Sequence, residues 1–161
     1  SSAGADFLIC PDNTIHQAFS LLAGRSPRPW LHIAEVVAAE AQRRGCRRLG
    51  LTGTAWLVDS EVYPEALDRI GLEWRRPSAD DRDLTSRIIM DELVYGKFCR
   101  DSVLTFQRVI DDFKSQGCDA VILGCTEIPL IIDDDNSALP TLDSTRLLAR
   151  AALRHAMGED R

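Results

Sequence analysis

The chain has 161 residues, 45% hydrophobic and 27% charged, with a formal net charge of -6. That balance suits one globular domain, or two small lobes, with enough apolar residues for a sizeable core. Acidity and the lack of a Lys/Arg block exclude nucleic acid as a main partner, and no apolar run approaches membrane-spanning length.

Short apolar runs alternate with amphipathic stretches along the chain, without internal repeats or low-complexity tracts. This pattern predicts βαβ units and a parallel sheet. Residues 7–10 read as a strand, 11–13 as a loop and 14–23 as a short helix. After the loop "GRSPRP", residues 30–33 read as a strand. Residues 34–44 form a helix closed by Gly45. Residues 48–52 are a strand, and Gly53-Thr54 opens a turn into a helical region containing Tyr63-Pro64. A strand at 72–75 and a helix at 78–93 follow, with Asp80 and Asp81 in the first turn, where the helix dipole favours acids. A second helix covers 102–116 and stops at Gly117. Residues 120–123 form a buried strand, 126–130 one helical turn, and "DDDNS" a solvated loop. A strand at 139–142 leads into a closing helix from 143 to 157, capped by Asp143 or Ser144.

The five cysteines, Cys10, Cys46, Cys99, Cys118 and Cys125, are odd in number and form no CxxC. A disulfide framework or structural zinc is not expected, and a reducing, cytoplasmic setting is. The opening does not read as a secretory leader. His16, His32 and His155 lie too far apart in sequence for a local metal motif. The start is abrupt: "SSAGADFLIC" enters a core strand within a few residues, which suggests a truncation of something longer.

Function in parallel sheets collects at the carboxyl ends of the strands. Three segments there carry polar residues: "CPDNT", "LTGT" and "GCTE". In "GCTE", Cys125 follows a strand and precedes a helical turn, a place that lowers a thiol pKa. Thr126 adds a hydroxyl donor for a carboxylate, and Glu127 caps the turn or orients the thiol. The alternative is a small buried cysteine that only packs. In "CPDNT", Asp12 ends the first strand, and Asn13 and Thr14 follow as donors. Here the alternative is a helix cap. Taken together, two such strand ends suit a carboxylate-bearing substrate held between two lobes. One group takes a proton from the carbon beside the carboxylate, and the other returns one from the opposite face. That is a two-base isomerisation without metal or organic cofactor.

At these residues the sequence resembles the aspartate/glutamate racemase family, within the Asp/Glu/hydantoin racemase superfamily. The strongest match is "GCDAVILGCTEIPLII", residues 117–132. "ADFLICPDNTIH", "RLGLTGTAWLVDSEVYPEAL", "RIIMDELVYGKF" and "LPTLDSTRLLARAAL" follow the family in the same order, so the resemblance covers essentially the whole chain. The family's N-terminal β-α segment, with its Gly-Gly-Met-Ser-Trp-like motif, has no counterpart.

The resemblance implies an α/β fold of two pseudo-symmetric parallel-sheet lobes with the site in the cleft between them. The first lobe, truncated, takes residues 1–33 and 140–161, and the second takes 34–139. It implies a homodimer and a pyridoxal-phosphate-independent racemase of acidic amino acids. Cys125 and Asp12 would act on opposite faces, with Asn13, Thr14, Thr54, Thr126 and Glu127 around the substrate. Three positions depart from the family pattern. Asp12 replaces a Cys or Thr, and a carboxylate is a weaker base than a thiolate by roughly four pKa units. Leu148 replaces a histidine, and Leu57 replaces a threonine. Lys97 is the candidate cation for a distal carboxylate. Two further readings stay open: a one-thiol isomerase or decarboxylase relative, and an inactive homologue that binds a small carboxylate.

Overall fold

The structure, a computed structural model, describes residues 4–22 and 24–158. Residue 23 of the expected first helix and the ends of the expected first lobe lie outside the described residues.

The order is β1 (Leu8–Ile9), a 3₁₀ turn (Thr14–Ala18), α1 (Phe19–Leu22), β2 (Trp30–Leu31), α2 (Ile33–Arg43), β3 (Arg48–Thr52), α3 (Ala55–Val58) and α4 (Val62–Asp68). Then come β4 (Glu73–Arg75), α5 (Ala79–Asp91), a 3₁₀ turn (Leu93–Tyr95), α6 (Arg100–Ser115) and β5 (Ala120–Leu123). A 3₁₀ turn (Ile128–Leu130), β6 (Thr141–Asp143) and α7 (Ser144–Met157) complete it.

Two parallel sheets result. β1 pairs with β2, and the larger sheet runs β4-β3-β5-β6. This is the α/β class expected from the alternation. All of β5 is buried, as its unbroken "AVIL" requires of a central parallel strand. Its side chains alternate between two helical layers. Ala120 and Ile122 face a core with Val37, Ala41, Tyr63 and Leu67 from α2 and α4. Val121 and Leu123 face a core with Ile89, Phe106, Ile110 and Phe113 from α5 and α6. Gly50 in β3 completes the second layer: a Cβ there would lie 2.5 Å from the Phe113 ring. The ring fills the space a side chain would take.

Caps hold the helices that flank the site. Ser78 accepts from the Asp81 amide at the start of α5, and Asp143 accepts from the Arg146 amide at the start of α7. Gly45 and Gly158 adopt positive φ just past α2 and α7, where glycine meets no Cβ penalty.

The expected lobe boundary at residue 140 falls just before β6, and β6 is hydrogen-bonded to β5 through Val121↔Thr141, Ile122↔Leu142 and Leu123↔Asp143. That strand therefore belongs to the larger sheet. The helix after it packs on α2 and reaches β2, so α7 joins the two sheets.

Candidate active site

A cavity of about 270 Å³ opens where the turn after β1 meets the carboxyl ends of β3 and β5. Asp12, Asn13, Thr14, Thr54, Cys125, Thr126 and Glu127 all line it. The structure thus brings together both strand-end clusters and Thr54, but not Lys97.

Gly124 explains the close approach of two of these strand ends. Its amide donates to the Thr52 carbonyl at 3.0 Å. A Cβ on Gly124 would lie 2.5 Å from that carbonyl oxygen and 2.5 Å from Leu57 Cδ2. Only glycine lets the Thr54 turn close against Cys125. Leu57 is fully buried against this glycine, so it serves the packing beneath the site.

Cys125 donates its thiol hydrogen to Glu127 Oε2 at 2.9 Å, and Thr126 Oγ1 donates to the same oxygen at 2.6 Å. Burial pushes the Cys125 thiol up to about 12, and the Glu127 carboxylate adds to the rise. The amides of Glu127 and Thr126 pull the other way but are outweighed. This corrects the expectation of a thiol lowered by a helix start. The following 3₁₀ turn begins only at Ile128, three residues on, so the sulfur does not sit at its first residue. Glu127 feels opposing influences. Burial pushes its carboxyl up, but the hydrogen bonds from Cys125, Thr126 and the backbone hold it below its ordinary value. Glu127 is thus the ionised acceptor and Cys125 the protonated donor. Of the two roles read for Glu127, it orients the thiol and makes no side-chain cap.

The expected donor role of Thr126 is also altered. Its single hydroxyl hydrogen goes to Glu127, which leaves oxygen lone pairs for a ligand.

Asp12 is exposed, and its Oδ1 accepts from the Ile15 amide at 2.8 Å, so it does cap the 3₁₀ turn. Oδ2 has no hydrogen-bond partner among the described residues. Asn13 is only 3% exposed, and both ends of its amide are engaged. Tyr63 donates to Oδ1 at 2.6 Å, and Nδ2 donates to Ser144 Oγ at 3.0 Å. Ser144 in turn donates to the Leu123 carbonyl at 2.8 Å. This chain ties the turn after β1 to α4, α7 and the end of β5. Thr14 and Thr54 bring their hydroxyls within 3.4 Å of each other across the cavity.

Sequence reasoning missed two sets of residues. Tyr63 and Ser144 hold Asn13 in place; a tyrosine in an otherwise apolar buried helix face was the available signal. Trp56, Ile89, Met90 and Val94 form an apolar wall. Trp56 lies two residues beyond Thr54 in "TGTAW", but nothing local marks the other three. Lys97 does not line the cavity; its ammonium sits 5.8 Å from the Tyr95 ring centroid.

His16 supports the site from behind. Its Nδ1 donates to the Asp12 carbonyl at 2.7 Å, and Nε2 accepts from the Ile33 amide at 3.3 Å. Burial holds His16 below its ordinary value, in keeping with this neutral form. The fold brings His16 and His32, distant in sequence, to 4.5 Å between ring centroids. No group of three or more potential metal ligands occurs among the described residues. No described helix is long and apolar enough to cross a membrane.

Parallel sheets with a cavity at the strand ends, and a Cys-Thr-Glu cluster within it, define an α/β protein. The family model for Asp/Glu/hydantoin racemase matches residues 1–152, and the chain belongs to that family. It is 29% identical over 154 residues to a glutamate racemase of Aquifex aeolicus, covering 92% of this chain and 58% of that one. It is 24% identical to a broad specificity amino-acid racemase of Bacillus subtilis, covering 93% of this chain and 64% of the relative. The chain therefore spans about three fifths of these relatives' length. Among solved structures, an aspartate racemase homologue from Pyrococcus horikoshii superposes with a TM-score of 0.87 at 29% identity. That match covers 97% of this chain and 69% of the other.

Proposed function

We propose that this protein is an amino-acid racemase that needs no cofactor and moves protons at Cα with two groups, Cys125 and Asp12, on opposite faces of the substrate. The observation that carries the proposal is the meeting of both strand-end clusters in one cavity. Family membership supports racemase chemistry as the general activity. Free amino acids are the substrate class, and aspartate and glutamate are those that the family's description names.

The chemistry follows from the protonation states. Cys125 starts as a neutral thiol bonded to an ionised carboxylate. It can therefore give a proton to a carbanion at Cα and become a thiolate, and in the reverse direction the thiolate takes that proton back from Cα. Asp12 keeps one oxygen free for the opposite face. The substrate carboxylate would lie against the hydroxyls of Thr14 and Thr54 and the amides beside Cys125. Asn13, already committed to Tyr63 and Ser144, would shape this floor. The two lobes and a homodimer form part of the same proposal.

Substitution at Asp12 tests the role of the second base. Asp12→Cys is expected to raise racemisation by matching the two groups, and Asp12→Asn to abolish it. Activity unchanged in both variants would remove Asp12 from the mechanism. It would favour the one-thiol reading, which the structural role of Asp12 as a cap also supports.

A further inference from the structure

A buried chain of hydrogen bonds links the two halves of the cavity, and its polarity is forced from one end. The Leu123 carbonyl can only accept, so Ser144 Oγ spends its one hydrogen there, at 2.8 Å. Toward Asn13, Ser144 must then accept, and Asn13 Nδ2 donates to it at 3.0 Å. That turns Asn13 Oδ1 to Tyr63, whose phenol donates at 2.6 Å. Tyr63 and Ser144 are fully buried and Asn13 nearly so. Burial pushes the Tyr63 phenol well above its ordinary value, so it keeps the hydrogen that it donates. Each end of the chain lies beside a group of the site. Asn13 follows Asp12 directly, and Leu123 stands two residues before Cys125.

We propose that Tyr63 and Ser144 are positioning residues that fix the separation of Asp12 and Cys125, and so couple the two proton transfers of a racemisation. The inference rests on the amino-acid racemase reading of the same cavity. Inversion needs both groups to meet one Cα from opposite sides. In one direction the Asp12 carboxylate takes the α-hydrogen, and the Cys125 thiol gives its hydrogen to the other face and becomes a thiolate. In the reverse direction the thiolate takes the α-hydrogen and the Asp12 carboxyl gives one back. With Asp12 displaced, Cys125 still serves its own face. Its thiolate takes the α-hydrogen, the new S–H exchanges with solvent, and a deuteron returns to the same face. The product is then labelled with retention. Removing either hydroxyl leaves one end of the buried Asn13 amide unpaired, and the amide and its turn shift to recover a partner. A shift of about 1 Å is large for a catalytic group.

Two readouts on Tyr63→Phe and Ser144→Ala test this, with Gly50→Ala as a control that loses stability through Phe113 in the α6 layer. The first is the ratio of inversion to α-deuterium uptake, from single enantiomers of aspartate and glutamate in D₂O. Both variants are expected to lower that ratio by at least about tenfold, and Gly50→Ala to keep it. The second is amide deuterium exchange over residues 12–16 and 124–128, followed by mass spectrometry. Both segments are expected to lose protection together in both variants, and by more than in Gly50→Ala. Tyr63→Phe removes a single oxygen and decides the matter if Ser144→Ala does not fold. An unchanged inversion ratio overturns the proposal, as does an equal fall in Gly50→Ala, or loosening of one segment or neither. If the unaltered protein exchanges no α-proton while both segments loosen together in the variants, the bridge between the two strand ends stands and the racemase reading alone fails.

Discussion

Cys125 donates its thiol hydrogen to Glu127 across 2.9 Å, and that contact sets what the thiol can do. At neutral pH the sulfur is protonated, because burial and the adjacent carboxylate hold its pKa near 12. Glu127→Gln removes the negative charge. Alkylation of Cys125, followed by peptide mapping, should then accelerate by about tenfold, the equivalent of one pKa unit. An unchanged or slower rate would show that Glu127 does not govern the thiol. The histidine pair gives a second prediction. Burial, and then His16, lowers His32 from 6.5 to about 4. The unfolded chain takes up that proton near pH 6.5, while the folded chain resists it. The stability contributed by neutral His32 is therefore present above about pH 6.5 and is lost as pH falls toward 4. Denaturation midpoints of His32→Gln should fall less steeply across that window than those of the unaltered protein. At this scale the sequence was legible where chemistry is local. Cys125, Thr126 and Glu127 are neighbours in the chain, as are Asp12, Asn13 and Thr14. The partners of Asn13 were not legible, since Tyr63 and Ser144 lie 50 and 131 residues away. The raised thiol pKa was missed for a related reason: burial and the orientation of Glu127 overrode the expected helix start.

Glycines control how the elements close. Gly124→Ala would drive a Cβ to 2.5 Å from the Thr52 carbonyl oxygen and from Leu57, so the ends of β3 and β5 must separate. We expect a loss of about 1–3 kcal/mol in stability, as overpacking costs, together with a loss of activity. Gly50→Ala meets Phe113 at the same distance, far from the cavity, and should cost stability of similar size with smaller effect on turnover. Denaturant unfolding and a racemisation assay separate the two cases. Equal loss of turnover in both would contradict the special placement of Gly124. Ser144→Ala belongs to the same scale. It strands the buried Asn13 amide, at about 1–3 kcal/mol. Element boundaries followed the strength of the local signal. β3 and β5 fell where their apolar runs stand. The helix read over 14–23 is instead a 3₁₀ turn followed by one short α segment, because Asp12 and His16 tie its first turn to side-chain bonds. The helix read to residue 93 ends at Asp91 and passes into a tighter turn closed by Gly96.

For the whole molecule, alternation of apolar runs and amphipathic stretches was enough to read an α/β architecture with parallel sheets. The pairing of β6 needed information the pattern does not contain, because a strand's partner is set by long-range register. β6 follows a loop that carries it back to β5, so the larger sheet extends past residue 140. Among the described residues the smaller sheet has two strands of two residues each. A two-stranded sheet is marginal alone, and opening proceeds from the least buried contacts. Amides of β1 and β2 should exchange with deuterium well before those of β3 and β5. If a homodimer covers the small sheet, that early exchange should slow as protein concentration rises through the dimerisation range, which sedimentation would locate. Concentration-independent exchange beside a measured dimer would place the interface elsewhere.

The most direct test of the two-base site is the fate of the α-proton. Single enantiomers of aspartate and glutamate would be incubated with the protein in D₂O, and deuterium uptake and inversion followed by NMR and chiral analysis, with Cys125→Ser as control. The account predicts deuterium at Cα together with inversion, both lost in Cys125→Ser. Exchange without inversion would contradict the pairing of Cys125 with Asp12, and no exchange in a folded sample would contradict the racemase reading itself.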